Sequence, residues 1–132
     1  MSDLGQGSPP VAPTPSAATP PPPPAPATIQ DFQKLAFRIG IIRAAQLHPN
    51  ADRLLVLSVD IGEPAPRQIV AGIRATYQPE QLIGKTVVVV ANLQPATLRG
   101  VESQGMVLAA SDGSTIILVS PERPIPAGST VK

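Results

Sequence analysis

Four consecutive valines, Val87–Val90, constrain the fold of this chain more than any other segment. β-Branched side chains pack well on a pleated surface, so the run predicts a β-strand over Thr86–Ala91. Because successive residues of a strand point to opposite faces, an uninterrupted apolar run leaves neither face polar. The predicted strand must therefore be buried on both faces, under other elements of the same domain.

Short segments with strand character surround this run and indicate an all-β domain. We predict further strands at Leu35–Ala45, Leu54–Ile61, Gln68–Ala71, Met106–Ala110 and Thr115–Val119, with an edge strand at Ser129–Val131. The Ser-Asp-Gly-Ser sequence before Thr115 favours a hairpin, because Gly113 tolerates a positive φ. The apolar phase of the first strand changes at Gly40, which predicts a bulge or bend at that glycine.

Two short helices are predicted beside the strands. Thr28 and Asp31 have the spacing of a capping box, which favours a helical turn at the start of the domain. Tyr77–Gly84 reads as a second helix, with Pro79 near its start and a glycine at its end. A helix between the third and fourth of several short strands predicts a five-stranded Greek-key barrel, the architecture of the oligonucleotide/oligosaccharide-binding (OB) fold.

A proline-rich segment precedes the predicted barrel. Ten of the 18 prolines fall within the first 26 residues, where Asp3 is the one charged side chain. Such a composition buries too little apolar surface to offset its ordering entropy, so we predict a disordered tail or linker over 1–28 and a single domain over 29–132. Pro20–Pro24 favours a polyproline II spacer. It could also be a ligand for an SH3-type domain, but no Lys or Arg flanks it to orient such a peptide.

Composition excludes several classes of protein. The chain has no cysteine, which rules out disulfides, thiolate metal sites and cysteine nucleophiles. Its apolar runs are too short to span a bilayer and its start does not resemble a secretory signal, so we expect a cytoplasmic location. Residues 29–132 hold ten Lys and Arg against eight Asp and Glu. Any binding of nucleic acid must therefore come from a local cationic patch.

No arrangement of residues typical of catalysis is found. His48 is the single histidine, whereas a metal site usually needs three or more convergent ligands. We favour a structural role, in which Asn50 or Asp52 closes a turn and His48 packs or hydrogen-bonds beside it. A nucleophile elbow, a phosphate loop and a dinucleotide fingerprint are all missing. We therefore expect a protein that is not an enzyme and that needs no metal or cofactor.

The segment Ala91–Ala110 leaves two functional interpretations open. It runs from a buried strand into a polar, glycine-bearing stretch and back to an apolar strand. Spacing alone favours an ordinary strand–loop–strand connection. The alternative is a rim that hydrogen-bonds phosphates and base edges. Since Phe32, Phe37 and Tyr77 are the only aromatic residues, the stacking platform of common single-strand binders is missing, and a folded RNA recognised by shape fits better.

Four stretches, taken in order, carry a resemblance to a known family. They are Asp31–Gly40, His48–Leu55, Arg67–Ile73 and Ala91–Met106. Together they resemble the tRNA-binding domain found at the C-terminus of many methionyl-tRNA synthetases, in free-standing tRNA-binding proteins and in the endothelial monocyte-activating polypeptide type. The resemblance covers nearly all of 29–132. It implies an OB fold that grips folded tRNA largely without regard to sequence, forms homodimers in bacteria, and raises the tRNA affinity of a synthetase partner without performing chemistry.

The resemblance also implies which residues contact RNA. It assigns Asn92, Arg99, Ser103, Gln104 and Met106 to a contact rim, and Lys85, Arg74 and Arg38 to nearby phosphates. Arg43 reads better as a solvated side chain, and Met106 could instead belong to the core. Thr97 and Gln94 stand where relatives often carry lysine, which predicts weaker phosphate attraction and a shallower dependence on salt. The rival interpretation is a chaperone-like or protein-interaction module that binds a peptide or a partner protein.

Overall fold

The computed structural model describes residues 25–132. Most of the predicted tail over 1–28, including the polyproline prediction for Pro20–Pro24, lies outside the described residues. The described part forms these elements: α1 (Ile29–Gln33), β1 (Phe37–Leu47), β2 (Leu55–Asp60), β3 (Arg67–Ala71), α2 (Pro79–Leu82), β4 (Thr86–Val90), β5 (Ala96–Leu98), β6 (Val101–Ser103), β7 (Met106–Val107), β8 (Ala109–Ser111), β9 (Ile116–Leu118) and β10 (Thr130–Val131). Neither helix is long and apolar enough to cross a membrane.

The main sheet is antiparallel and curls into a nearly closed barrel. Its strand order is β3-β2-β1-β4-β7, and β10 adds to β1. The long β1 pairs with β4 through Phe37–Ile41 and with β2 through Ile41–Leu47, so one strand serves both halves of the sheet. The Gln104 amide donates to the Gln68 carbonyl at 2.7 Å, which links β3 to the chain just before β7. This confirms the predicted all-β OB barrel with a short helix between its third and fourth strands.

The core is built from alternating positions of the central strands. The side chains with essentially no exposed surface are Ile42, Leu55, Leu57, Val59, Ile69, Ile73, Leu82, Val87 and Val89. On the opposite face of β4, Val88 and Val90 are buried as well. The prediction that the valine strand is covered on both faces is therefore confirmed. The capping box is also present, since Thr28 Oγ1 accepts from the Asp31 amide and Asp31 Oδ2 accepts from the Thr28 amide, each at 3.1 Å.

The bulge predicted at Gly40 lies elsewhere. The pairing of β1 with β2 shifts register between Ile42 and Ala44, three residues further on. Gly40 is instead required by close packing, because a Cβ atom there would lie 2.6 Å from Val59 Cγ1 and 3.0 Å from Val89 Cγ2. The glycine therefore makes room for side chains of the neighbouring strands and does not mark a break in pairing.

Two other predicted elements differ from the structure. The helix expected over Tyr77–Gly84 is confined to Pro79–Leu82, since Ile83 is extended with ψ of 124°. The strand expected over Met106–Ala110 divides into β7 and β8 around Leu108. The amide of Leu108 donates to Val88 of β4, while its carbonyl accepts from Val119 just after β9. One residue thus passes the chain from the main sheet to a separate hairpin.

Candidate nucleic-acid interface

The segment predicted as a loop contains a tight hairpin, β5–β6. Leu98 and Val101 are paired, which leaves Arg99 and Gly100 as a two-residue turn. Their φ angles are 55° and 90°, and positive φ at both central positions defines a type I′ turn. Asn, Asp or Gly normally occupies the first of these positions, because other residues are strained there. Sequence reasoning missed the hairpin because Arg-Gly is a weak signal, with glycine its single cue.

The turn of this hairpin is held against the loop between β1 and β2. His48 Nε2 donates to the Leu98 carbonyl at 2.9 Å, and Asn50 Nδ2 donates to the Arg99 carbonyl at 3.2 Å. In return, Arg99 Nη2 donates to the Asn50 carbonyl at 3.2 Å. His48 Nδ1 accepts from the Asn50 amide at 2.9 Å, so the proton of the neutral ring lies on Nε2. We call these contacts among His48, Asn50, Leu98 and Arg99 the turn clasp.

The turn clasp gives His48 the structural role predicted for it. The ring is buried, with 6% of the residue exposed, and both of its nitrogens have backbone partners. Asn50 does bond a backbone carbonyl, although on the hairpin and not within its own turn. Among residues 25–132, no three acidic, histidine or cysteine side chains converge in the way that a metal ion requires.

Three arginines belong to segments that hydrogen bonds join around the turn clasp. Arg53 belongs to the same β1–β2 loop as Asn50, and its carbonyl accepts from the Arg74 amide at 3.3 Å. No carboxylate of the described residues lies within 4.0 Å of the charged groups of Arg53, Arg74 or Arg99. We call these three residues the arginine corner. Arg43, by contrast, is paired with Asp60 at 3.1 Å.

A second group of predicted residues lines a separate cleft. Asn92 Oδ1 accepts from the Ala36 amide at 2.8 Å, and Asn92 Nδ2 donates to the Lys34 carbonyl at 2.6 Å. The side-chain amide thereby fastens the end of β4 to the segment between α1 and β1. Arg38 lines the same cleft and donates to Thr130 Oγ1 at 3.0 Å. We call this second site the asparagine cleft.

Charge in the asparagine cleft is partly neutralised. Arg67 donates to both carboxylate oxygens of Glu63, at 3.0 and 2.9 Å, and to the carbonyls of Ala91 and Gln104. The hydrogen bonds from Arg67, helped by the charges of Arg67 and Arg38, hold the pKa of Glu63 below its ordinary value. Glu63 is therefore anionic at neutral pH. The cleft offers Arg38 and the remaining Asn92 amide hydrogen as donors, but less net positive charge than the arginine corner.

Ser103 and Gln104 serve the barrel itself. Ser103 is buried, and its hydroxyl accepts from the Val70 amide and donates to the Gly105 carbonyl, both at 2.9 Å. Gln104 Oε1 accepts from the Gln68 amide at 3.0 Å, while Nε2 of this exposed side chain has no hydrogen-bond partner among the described residues. These bonds tie the end of β6 to β3.

Met106 and Lys85 lie in different surroundings. Met106 is 46% exposed, so it does not belong to the core, and it lines an apolar groove of about 480 Å³ together with Ile73, Leu93 and Leu98. Lys85 precedes β4, whereas Asn92 follows it, and at about 3.3 Å per residue the two lie roughly 20 Å apart. Its Nζ lies 5.9 Å from the centre of the Tyr77 ring. The structure thus links the segments of Arg74 and Arg99 through the loop between β1 and β2, and it places Arg38 and Asn92 on one cleft, with Lys85 remote from Asn92.

Comparison with known proteins places the whole barrel in one group. A family model described as "Putative tRNA binding domain" matches residues 37–130. A methionine–tRNA ligase of Thermococcus kodakarensis is 48% identical over 105 residues. The match covers 80% of this chain and 14% of the ligase, so the chain spans a small part of this much longer relative.

Two solved structures share the fold over most of the chain. A MetRS-related protein from Pyrococcus horikoshii has 32% identity and a TM-score of 0.75, with 82% of this chain and 99% of that chain covered. The chaperone CsaA of Bacillus anthracis has 33% identity and a TM-score of 0.73, with 82% and 100% covered. The first is named for its relation to a synthetase and the second for chaperone activity.

Proposed function

This chain belongs to the tRNA-binding domain family, and from that premise we propose that it is a non-catalytic module that binds folded tRNA largely independently of sequence. The observation that supports this most directly is the arginine corner, where hydrogen bonds join the segments that carry three arginines, none of which has a carboxylate partner among the described residues. Unpaired guanidinium groups bind phosphates well, because their planar donors match phosphate oxygens in pairs.

Two separated contact regions suit recognition of shape. In this proposal Arg74 and Arg99 meet phosphates at the arginine corner, while Asn92 and Arg38 meet a second part of the RNA at the asparagine cleft. Contacts to phosphates and sugars fix the position of a protein on nucleic acid but carry no direct sequence information. Widely spaced contacts select instead for an RNA whose folded backbone reaches both regions.

The roles proposed for the remaining predicted residues follow from whether their side chains are exposed or buried. Gln104 and Met106 are accessible to RNA between the two regions, whereas the buried Ser103 acts by shaping the surface. Lys85 is assigned to a phosphate at the far end of β4, which only a large ligand such as tRNA can reach together with Asn92. These assignments extend the interface along one side of the barrel.

We further propose that the module works in the cytoplasm for a synthetase, namely methionyl-tRNA synthetase, as an appendage or a separate subunit. The support is the 48% identity to a methionine–tRNA ligase, of which the matched region covers 14%. A tethered module holds tRNA at a high effective concentration near the catalytic site, and residues 1–28 would supply such a tether. A homodimer would double the number of contacts, and sedimentation at micromolar concentration tests that state.

A native gel with total tRNA tests the central proposal. Wild-type protein should retard tRNA at low salt, and the double variant Arg74→Ala/Arg99→Asn should largely lose this retardation. Asparagine at position 99 keeps a residue that tolerates positive φ, so the turn persists. Arg123→Ala is a control for loss of a surface charge, since Arg123 is an exposed cation that pairs with its neighbour Glu122 and makes no side-chain hydrogen bond or ion pair with either site among the described residues. Unchanged retardation in the double variant would move the interface elsewhere.

A second candidate function is a chaperone-like module, which the fold shared with CsaA and the apolar groove both favour. Grooves of about 300–1,000 Å³ lined by apolar side chains are typical ligand sites. If tRNA is not retarded at any salt, suppression of the aggregation of an unfolded protein should be measured. Met106→Ser should weaken that activity, while Ile117→Ser, at an exposed apolar position that does not line the groove, should not.

A further inference from the structure

We propose that His48 is a positioning residue that, together with Asn50, holds the Arg99 guanidinium where it meets a phosphate of bound RNA. His48 itself does not touch the RNA. The inference rests on the proposed function, because it assumes that Arg99 is a phosphate contact. The juxtaposition that carries it is the turn clasp, which fixes the backbone of Arg99 and its side chain at the same time.

Arg99 needs such support for two reasons. Its φ of 55° is a conformation that residues other than Gly, Asn and Asp rarely adopt. Its side chain is also long, so a free guanidinium would lose much rotamer entropy on binding. His48 and Asn50 hold the carbonyls on either side of the strained residue, and the Asn50 carbonyl accepts from the guanidinium.

The clasped guanidinium keeps most of its donors free. A guanidinium has five N–H groups, and the one contact made by Arg99 among the described residues is Nη2 to the Asn50 carbonyl. One nitrogen is thus anchored while other donors remain for a phosphate. Holding the group before RNA arrives reduces the ordering cost of binding, which raises affinity without a new contact.

His48 has no group left for a contact of its own. It is 6% exposed, and its two ring nitrogens are bonded to the Leu98 carbonyl and the Asn50 amide. Any effect of His48 on RNA affinity must therefore pass through the residues that it holds. This separates it from a direct contact, whose effect would persist when Arg99 is absent.

A double-mutant cycle measures that dependence. The tRNA affinity of wild type, His48→Ala, Arg99→Asn and the double variant is determined by filter binding at several salt concentrations. Arg99→Asn should weaken binding about eightfold at 0.1 M salt and reduce the slope of log affinity against log salt by about 0.9, the counterion release of one phosphate contact. His48→Ala should reproduce most of that loss. The double variant should be no weaker than Arg99→Asn alone.

Two further variants guard against general damage to the fold. Asn50→Ala removes the Nδ2 donor to Arg99 from an exposed side chain, and it should give the same non-additive loss if His48→Ala does not fold. Asp112→Ala disrupts the turn of the other small hairpin, where Asp112 Oδ1 accepts from the Ser114 and Thr115 amides at 2.9 and 2.8 Å. This matched control should leave tRNA affinity unchanged.

The outcomes separate this inference from the proposed function. Normal affinity of His48→Ala and Asn50→Ala beside a weak Arg99→Asn would overturn the inference and leave tRNA binding intact. Equal losses from His48→Ala with and without Arg99 would also overturn it, since His48 would then act independently. If tRNA binds but Arg99→Asn has no effect, Arg99 is not a phosphate contact and the inference fails, while the proposed function stands. If neither the wild type nor any variant binds tRNA, the proposed function itself fails.

Discussion

The two small hairpins of this barrel are built alike but held differently. The β5–β6 and β8–β9 hairpins each pair three residues with three. In β8–β9, Asp112 Oδ1 accepts from the amides of Ser114 and Thr115, so the turn is closed by its own residues. In β5–β6, the strained Arg99 depends on a loop about fifty positions earlier in the chain. The β8–β9 turn is thus stabilised by local hydrogen bonds, whereas the β5–β6 turn needs tertiary hydrogen bonds to hold a residue that rarely adopts positive φ.

This difference predicts that the turn clasp contributes more to the free energy of unfolding than the Asp112 turn does. His48→Ala removes a buried ring and leaves the Leu98 carbonyl and Asn50 amide without partners. Loss of packing and two unsatisfied backbone groups should lower the free energy of unfolding by about 2–3 kcal/mol. Urea denaturation of wild type and variant measures the change.

Asp112→Ala is the comparison for that experiment, because it damages the self-closed turn at an exposed position. It should lower the urea midpoint clearly less than His48→Ala does. Equal shifts of the two midpoints would show that the turn clasp adds nothing beyond an ordinary turn, and the contrast between the hairpins would then be lost.

How far the sequence predicts each region follows the same division. The valine strand, the capping box and the Ser-Asp-Gly-Ser hairpin are encoded by neighbouring residues, and all three were predictable. The β5–β6 hairpin was not predictable, because the conformation of Arg99 is held by His48 and Asn50 and no residue next to Arg99, apart from Gly100, favours a turn. The predicted position of the bulge was wrong for a related reason, since Gly40 is required by close contact with Val59 and Val89 on adjacent strands.

The candidate site shows the same limit. The family resemblance assigned Asn92 to a polar contact rim, but its bonds to Lys34 and Ala36 link positions more than fifty residues apart. Arg74 and Arg99 of the arginine corner were among the expected contacts, whereas Arg53 was not, because it is linked to Arg74 only by a backbone hydrogen bond in the folded chain. Residue type suggests a chemistry, while the tertiary pairing decides whether a side chain is free to perform it.

A gain of charge on the β5–β6 hairpin should sharpen its distinction from β8–β9. Thr97 is exposed on β5, two residues before Arg99. Thr97→Lys should tighten tRNA binding by up to about eightfold at 0.1 M salt and steepen the salt slope by about 0.9, if the new ammonium reaches one phosphate. Filter binding over a salt series measures both quantities.

The matching substitution on the other hairpin is Ile117→Lys, at an exposed position of β9. It adds the same charge to the protein, but on a hairpin that does not pair with β5–β6 and at a residue that does not line the asparagine cleft. A change of affinity and slope as large as that from Thr97→Lys would indicate attraction by net charge alone, and the assignment of the interface to the β5–β6 side would be wrong.

The smallest expected effect is a local change in the β8–β9 turn when Asp112 is protonated at low pH. Hydrogen bonds from the amides of Ser114 and Thr115 hold the pKa of Asp112 below its ordinary value of 3.8. A carboxyl group with a lowered pKa in the folded state stabilises that state above its unfolded pKa, and the contribution is lost as pH falls through the folded value. The Ser114 and Thr115 amide resonances should therefore shift together with Asp112 at pH below about 3.8. Asp112→Asn keeps an acceptor oxygen without the titrating proton, so the same resonances should stay in place over that range. If they move in the variant as well, the turn is responding to loosening of the barrel and is not closed by its own carboxylate, which would remove the basis for treating β8–β9 as the self-sufficient hairpin.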